Sequence, residues 1–247
     1  MNQDVDLSFD IVRDLIILMA IYFVSLIVLS FLIVKILRID EDENSSYRLM
    51  MIFSNIGFMG LPVIQSIYGQ EYMVYAALFQ IPFNILLFSY GIKIVKGTSD
   101  FNLKSIINPG LIGALGALFF LLVPVEVPCP IYDAVSIIGQ VTTPVSMMVI
   151  GNSLASIPIL ELFNNFKLNI FTIIRLIVIP VAFKYILIAL NLNMDLVNIT
   201  VVMYAMPVAS MVTMIEKVYG GNPTLSAKGT SLTTLLSVLT IPLVINI

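Results

Sequence analysis

Runs of about 20 apolar residues, the length a helix needs to cross a bilayer, divide the chain into eight segments, at 14–36, 48–67, 72–95, 106–124, 131–154, 168–190, 196–215 and 224–246. The connections between them are short, which predicts a single transmembrane domain over 1–247, an all-α polytopic bundle of eight helices. Two segments carry a pattern that a lipid-exposed helix cannot keep. The second contains Ser54-Asn55-Ile56-Gly57-Phe58-Met59-Gly60-Leu61-Pro62, and the seventh contains Met203-Tyr204-Ala205-Met206-Pro207-Val208-Ala209-Ser210. Irregular backbone at membrane depth survives only where protein or a water-filled cavity satisfies the freed N–H and C=O groups. Both interruptions therefore point to a cavity, and paired broken helices in matching positions of two halves mark the binding site of a secondary transporter.

The two breaks are five segments apart, and an odd offset inverts the topology. Other features recur at the same offset: Tyr68-Gly69 closes the first broken segment and Tyr219-Gly220 the second, while Ile81-Pro82 is echoed by Ile241-Pro242. Together they predict two inverted repeats of five helices, an incomplete first repeat over 1–95 and a second over 106–247. On that count two helices belong ahead of the first segment. The expectation is that the chain begins late, through a misassigned start or a truncated gene.

Composition agrees with the segmentation. Of the 247 residues 59% are hydrophobic and 11% charged, and the mean hydropathy of +1.04 lies outside the range of soluble domains. With no histidine and the single cysteine Cys129, an internal disulfide is excluded and the commonest metal and acid–base ligand is missing; no cofactor is expected. The net charge of −3 is spread over short loops, so nucleic acid is not a partner. Asp4, Asp6 and Asp10, with no basic residue among the first ten, do not make a signal peptide. One side of the bundle collects Lys35, Arg38, Arg48, Lys93, Lys96, Lys104, Lys167, Lys217 and Lys228, the other only Arg13 and Lys184. The positive-inside rule puts the first set in the cytoplasm and both termini outside, in a multi-pass protein of the cell membrane. The acidic run from Asp40 to Glu43 reads as a solvated loop.

A broken helix presents free N–H groups and a partial positive charge of about +0.5 at the start of its second half. That suits a carboxylate. Pro62 and Pro207 fit the opening of such half-helices, where a missing N–H costs nothing, while Ser54, Asn55 and Ser210 supply neutral hydrogen-bonding groups. The substrate-binding set read from the breaks is Ser54, Asn55, Gly57, Gly60, Pro62, Met206, Pro207 and Ser210. The competing reading is a pair of proline kinks whose glycines serve close helix packing. Gln80 and Asn84, four apart on one helical face, are candidates for the same cavity or for packing, and so is Gln140. Arg175 is the basic residue inside a span. It either attracts an anion or, eight residues past Lys167, snorkels to the cytoplasmic surface, and the sequence favours snorkelling. Asp133 and Glu216 fall near segment ends, so no proton-relay or sodium carboxylate is evident and the coupling ion, H+ or Na+, stays open. Gly110, Gly113 and Gly116 read as a packing stripe rather than a nucleotide loop.

The stretch from Ser54 to Pro62 resembles the Asn-x-Gly-Phe-x-Gly-x-Pro signature of the auxin efflux carrier family, which includes the plant PIN carriers and microbial permeases of malonate, malate and similar acids. Asn108-Pro109, Pro144 with Gly151-Asn152-Ser153-Leu154, Arg175 with Pro180, and Met206-Pro207-Val208-Ala209 extend the resemblance over nearly the whole chain. It implies ten helices in two inverted halves, with helices four and nine broken and crossing near the midplane, similar to bile acid/sodium symporters. This chain then corresponds to helices three to ten. The resemblance also implies that the segment carrying Asn152 lines the cavity, where Asn152 would touch substrate or a coupling ion; an interhelical hydrogen bond explains it as well.

These readings converge on a secondary transporter of small organic anions, carboxylates first, working by alternating access as a permease or efflux carrier. Its partners would be the substrate, the lipid bilayer and, as a homodimer, a second copy of the chain. One alternative is a non-transporting remnant or subunit of such a carrier. A membrane-embedded enzyme is the other, disfavoured because there is no histidine and no mid-span aspartate pair, and because Cys129 lacks a histidine partner.

Overall fold

The computed structural model describes residues 8–97, 109–122, 128–141 and 158–247, with positions 144, 145, 148 and 151 between the last two stretches. Among the described residues the chain is all helical. Four helices are long and apolar enough to cross a membrane: α1 (Phe9–Ile36), α4 (Met73–Lys96), α7 (Phe166–Ile188) and α10 (Pro223–Asn246). The 24 residues of α10 reach about 36 Å at 1.5 Å per residue, against a hydrocarbon core of about 30 Å. Between them run the halves of two broken helices: α2 (Glu41–Ile52) with α3 (Ile56–Tyr68), and α8 (Met194–Ala205) with α9 (Ser210–Tyr219). Two further helices are α5 (Pro109–Leu122), within the predicted segment 106–124, and α6 (Cys129–Gln140), which starts two residues ahead of the predicted segment 131–154.

Asparagine opens three of these helices, because its carboxamide oxygen reaches N–H groups of the first turn that have no partner inside the helix. Asn165 Oδ1 accepts from the Leu168 N–H at 3.0 Å ahead of α7. Asn193 does the same for Asp195 and Leu196 ahead of α8, and Asn222 for Leu225 ahead of α10. The second halves of both broken helices end alike. Gly69 (φ 102°, ψ 172°) follows α3 and Gly220 (φ 101°, ψ −177°) follows α9, each donating its N–H to the carbonyl four residues back. A positive φ of that size is a glycine conformation, which is why Tyr-Gly recurs at the two ends.

The core is built around α2, α8 and α10, packed against the spans α1 and α7. Tyr47 of α2 meets Phe171 of α7 edge-on at 5.4 Å. Gly229 of α10 admits Met50 of α2 so closely that a β-carbon there would lie 2.2 Å from the Met50 sulfur. The two ends of the bundle carry different charges. At one, Lys167 Nζ donates to the Arg38 carbonyl and to Asp40 Oδ2, both at 2.9 Å, and this contact holds the Asp40 carboxyl below the usual range. At the other, Asp14 accepts from the Asn193 N–H at 2.9 Å and pairs with Arg13.

One expectation for α5 changes. A β-carbon at Gly113 or Gly116 would meet nothing within 4 Å, so among the described residues this part of α5 is not a close-packed glycine stripe. Among the described residues every position of α6 is at least partly exposed, Ile138 at 72%.

Candidate binding site at the helix crossing

The two breaks lie against each other. Residues 53–55 and 207–209 run antiparallel and form a two-residue bridge: the Asn55 N–H donates to the Pro207 carbonyl at 2.7 Å and the Ala209 N–H to the Phe53 carbonyl at 2.9 Å. Each interruption thus satisfies groups the other has freed, which removes the penalty of unpaired backbone in lipid. The Val208 N–H completes the set by donating to Thr233 Oγ1 of α10 at 3.1 Å. Thr233 remains anchored because its hydroxyl donates to the Gly229 carbonyl at 2.7 Å.

Three continuous spans touch the crossing near their midpoints, so it sits at middle depth. From α10 comes Thr233. From α1 comes Tyr22, whose hydroxyl donates to Ser54 Oγ at 2.7 Å and lies 3.3 Å from the Met203 carbonyl. From α7 comes Arg175, whose Nη1 donates to the Tyr204 carbonyl at 2.7 Å and whose Nη2 donates to Ser54 Oγ. The Tyr204 and Met203 carbonyls belong to the last turn of α8; that of Met203 receives the Met206 N–H at 3.3 Å, and the break leaves that of Tyr204 without a helical N–H donor. A cation there also meets the negative end of the half-helix.

Arg175 corrects the expectation of snorkelling. Its side chain is fully buried and turned inward. Pro180 offers no N–H to the carbonyl four residues back, and α7 widens into a π-turn over Ile174–Val178, the turn that carries Arg175. The same device appears in α3, where the π-turn Ile56–Gly60 precedes Pro62 by two residues. The second half of that broken helix accordingly opens at Ile56, and Pro62 lies one and a half turns inside it rather than at its start. Pro207 stays in the break itself, ahead of α9.

Buried charge makes Arg175 the electrostatic centre of the crossing. Among the described residues its guanidinium has no carboxylate partner, and its Nε is buried without a hydrogen bond. An isolated charge in an apolar interior is costly unless it is paired. Aromatic rings shield it: Tyr22 lies 4.7 Å from Tyr204, which stacks on Phe183 at 4.5 Å with planes 19° apart. In the break, Phe53 meets Phe83 edge-on at 5.6 Å.

The structure gathers most of the sequence candidates here. Ser54, Asn55, Met206 and Pro207 are buried in the crossing, and Ser210 opens α9 beside it. A β-carbon at Gly60 would sit 3.2 Å from the Met203 sulfur, and one at Gly57 3.0 Å from Gln80 Nε2. Gln80 therefore packs directly on the first break, and its Nε2 is buried without a partner. Asn84 lies one turn further on and donates to the Gln80 carbonyl at 2.8 Å. Gln140 is not brought to the crossing; it sits exposed on α6, and its hydrogen bond is to Ser136. Asn152 lies outside the described residues. The sequence reading had not assigned Tyr22 or Thr233. Hydroxyls at 230, 233, 234 and 237 repeat at helical spacing along α10, the signal that would have found the latter.

A family model described as membrane transport protein matches residues 9–100 and 94–245, most of the chain. The chain belongs to the auxin efflux carrier family of membrane transport proteins. It is also similar to an uncharacterized transporter of Methanocaldococcus jannaschii, 28% identical over 225 residues, covering 87% of this chain and 72% of the relative. Membership in the auxin efflux carrier family gives the crossing its context: it lies in a multi-pass membrane transport protein, and the break at Ser54 to Pro62 that carried the resemblance is one of the two strands of the bridge.

Proposed function

We propose that this protein is a secondary transporter of small organic anions, carboxylates first, and that the crossing of the two breaks is its binding site. The observation that carries the reading is Arg175: a permanent cation, fully buried at middle depth, with no carboxylate partner among the described residues and one donor nitrogen free. An anionic substrate supplies the missing counter-charge. The N–H groups of Gly57, Phe58 and Met59 open α3, and those of Ser210 and Met211 open α9. None has an earlier carbonyl in its helix to bond to, and each set carries the positive end of a half-helix. Ser54, Asn55, Gly57, Gly60, Pro62, Met206, Pro207 and Ser210 form the site in this reading, with Arg175 beneath it and Gln80 and Asn84 at its edge; Asn152 is assigned to a segment that lines the cavity.

We further read the chain as eight spans of an inverted-repeat architecture, moving the crossing between the two sides by alternating access. The antiparallel pairing of the breaks and the matching Tyr-Gly ends at Gly69 and Gly220 support that symmetry. Lys167, Arg38 and Lys96 at one end support a cytoplasmic placement of that end in the cell membrane, with both termini outside. A carrier of this kind needs no catalytic residues and no cofactor. The reading is tested by uptake of radiolabelled malonate into proteoliposomes, challenged with unlabelled mono- and dicarboxylates and with uncharged analogues. Competition by carboxylates alone is expected; uptake of none of them, or equal competition by the uncharged analogues, would overturn it.

A further inference from the structure

We infer that Glu216 is the proton-carrying carboxyl of this transporter, an inference that rests on the carrier reading above and names its coupling ion. Glu216 lies in α9, six residues from Ser210 and so about 9 Å along the helix from the crossing. Its side chain is 1% exposed. Oε1 accepts a hydrogen bond from Ser46 Oγ at 2.5 Å, and Ser46 is itself fully buried in α2. Oε2 is buried and makes no hydrogen bond of good geometry, while the Ser226 hydroxyl and the Asn222 N–H, at the start of α10, also interact with the carboxyl. The loop after α9 folds back over the carboxyl with Gly220 and Gly221 both at positive φ, 101° and 106°. A β-carbon at Gly221 would stand 3.2 Å from both Cγ and Oε1. Glycine at 221 is thus required twice over, by backbone conformation and by the closeness of the acid.

Among the described residues no cation pairs with this carboxyl. Facing elements bring Glu41, Asp42, Glu43, Tyr47 and Arg48 from α2, Tyr90, Lys93 and Lys96 from α4, and Lys228 from α10, with Lys217 and Tyr219 on its own helix. Arg48 donates to the Tyr90 hydroxyl at 2.8 Å and lies 4.1 Å above the Phe31 ring, and Lys96 lies 5.3 Å above the Tyr219 ring. Among the described residues the ion pairs are Arg13 with Asp10 and Asp14, and Lys167 with Asp40. A buried acid that meets only neutral hydrogen-bond donors among the described residues exchanges a proton with water rather than hold a fixed charge. The position gives that exchange a mechanical consequence. Ser46 and Glu216 sit on the arms of different broken helices, and each arm runs directly into the bridge between 53–55 and 207–209. The proton is taken from and returned to water at the end where Lys167 and Asp40 meet. It binds Oε2, neutralises the arm-to-arm contact, and breaks no other bond.

The test uses the full chain in proteoliposomes with [14C]malonate, comparing the wild type with Glu216→Gln. Exchange of external label for internal malonate, which needs no net proton movement, is expected to stay within about twofold of wild type, whereas accumulation driven by an imposed pH gradient falls at least tenfold. Gradient-driven accumulation by Glu216→Gln at the wild-type level overturns the inference. So does joint loss of exchange and accumulation in a variant that remains monodisperse, since that marks a structural role. Accumulation driven by a sodium gradient alone also overturns it. Independently of any substrate, infrared difference spectra recorded as pH is stepped should show a protonated-carboxyl band in the wild type that is missing in Glu216→Gln; identical spectra contradict the inference. If the wild type moves no malonate, the carrier reading or its substrate fails, and the infrared comparison still decides the role of Glu216.

Discussion

Arg175 donates through Nη1 to the carbonyl of Tyr204 at 2.7 Å, so a side chain from one spanning helix closes the last turn of a neighbouring half-helix at the point where it breaks. The contact joins two facts that chain position alone keeps apart. The break at 207–209 leaves the Tyr204 carbonyl without a helical donor in the middle of the membrane, and the π-turn over Ile174–Val178 delivers a cation to it. Ser54 of the other break shares the same guanidinium and also receives the Tyr22 hydroxyl. One charge therefore touches both broken helices.

Replacement of Arg175 should separate its roles. Arg175→Met strands the Tyr204 carbonyl and removes the counter-charge, and hydrogen bonds to a charged group contribute about 1.5–3 kcal/mol, or roughly 10–100-fold in an equilibrium. Malonate uptake is expected to drop more than tenfold in Arg175→Met, with Arg175→Lys intermediate because it keeps charge but not the two-pronged reach. Normal uptake by Arg175→Met would leave the guanidinium as a helix cap alone.

Gly57 and Gln80 should behave as a coupled pair. A β-carbon at position 57 would lie 3.0 Å from Gln80 Nε2, the far end of a flexible side chain, so Gly57→Ala displaces Gln80 from the first break. Reduced transport is expected in Gly57→Ala and substantial recovery in Gly57→Ala with Gln80→Ala, a non-additive double-mutant cycle. Additive losses would show that Gly57 is needed for its backbone instead.

Gly229 predicts stability rather than transport. Its site lies 2.2 Å from the Met50 sulfur when a β-carbon is built there, and overpacking of a well-filled core costs about 1–3 kcal/mol. Gly229→Ala should lower the thermal unfolding midpoint in detergent, and adding Met50→Ala should restore part of the loss. An unchanged midpoint would mean that Met50 moves aside without cost.

Spans and breaks were legible in the sequence because each leaves a local signature: apolar runs of membrane length for α1, α4, α7 and α10, and glycine and proline within apolar context for the two interruptions. Their crossing followed only from the family resemblance, and their antiparallel hydrogen bonding was not legible. The orientation of Arg175 was not legible. Eight residues of regular helix from Lys167 suggest snorkelling, but the widened turn before Pro180 is a local departure whose effect depends on what lies opposite, namely Tyr204 and Ser54. Glu216 was read as an acid near a segment end because its distance along the chain from the crossing is visible while the fold of Gly220-Gly221 over it is not. Tyr22 and Thr233 were hidden for the same reason, each being ordinary in its own helix and decisive only through a partner in another.

Orientation has a direct check. The grouping of Lys167, Arg38 and Asp40 at one end, with Arg13, Asp14 and Asn193 at the other, predicts that a reporter fused after Ile247 is extracytoplasmic. A reporter active in the cytoplasm would reverse the assignment of both ends.

The claim that the crossing binds substrate is tested most directly by alkylation protection. In a Cys129→Ser background, where the exposed native thiol is gone, Ser210→Cys places a single thiol at the opening of α9, beside the bridge between the two breaks. Saturating malonate is expected to slow its reaction with a small membrane-permeant maleimide several-fold, while a neutral analogue leaves it unchanged. Equal alkylation rates with and without malonate, in protein shown to transport malonate, would contradict the crossing as the site.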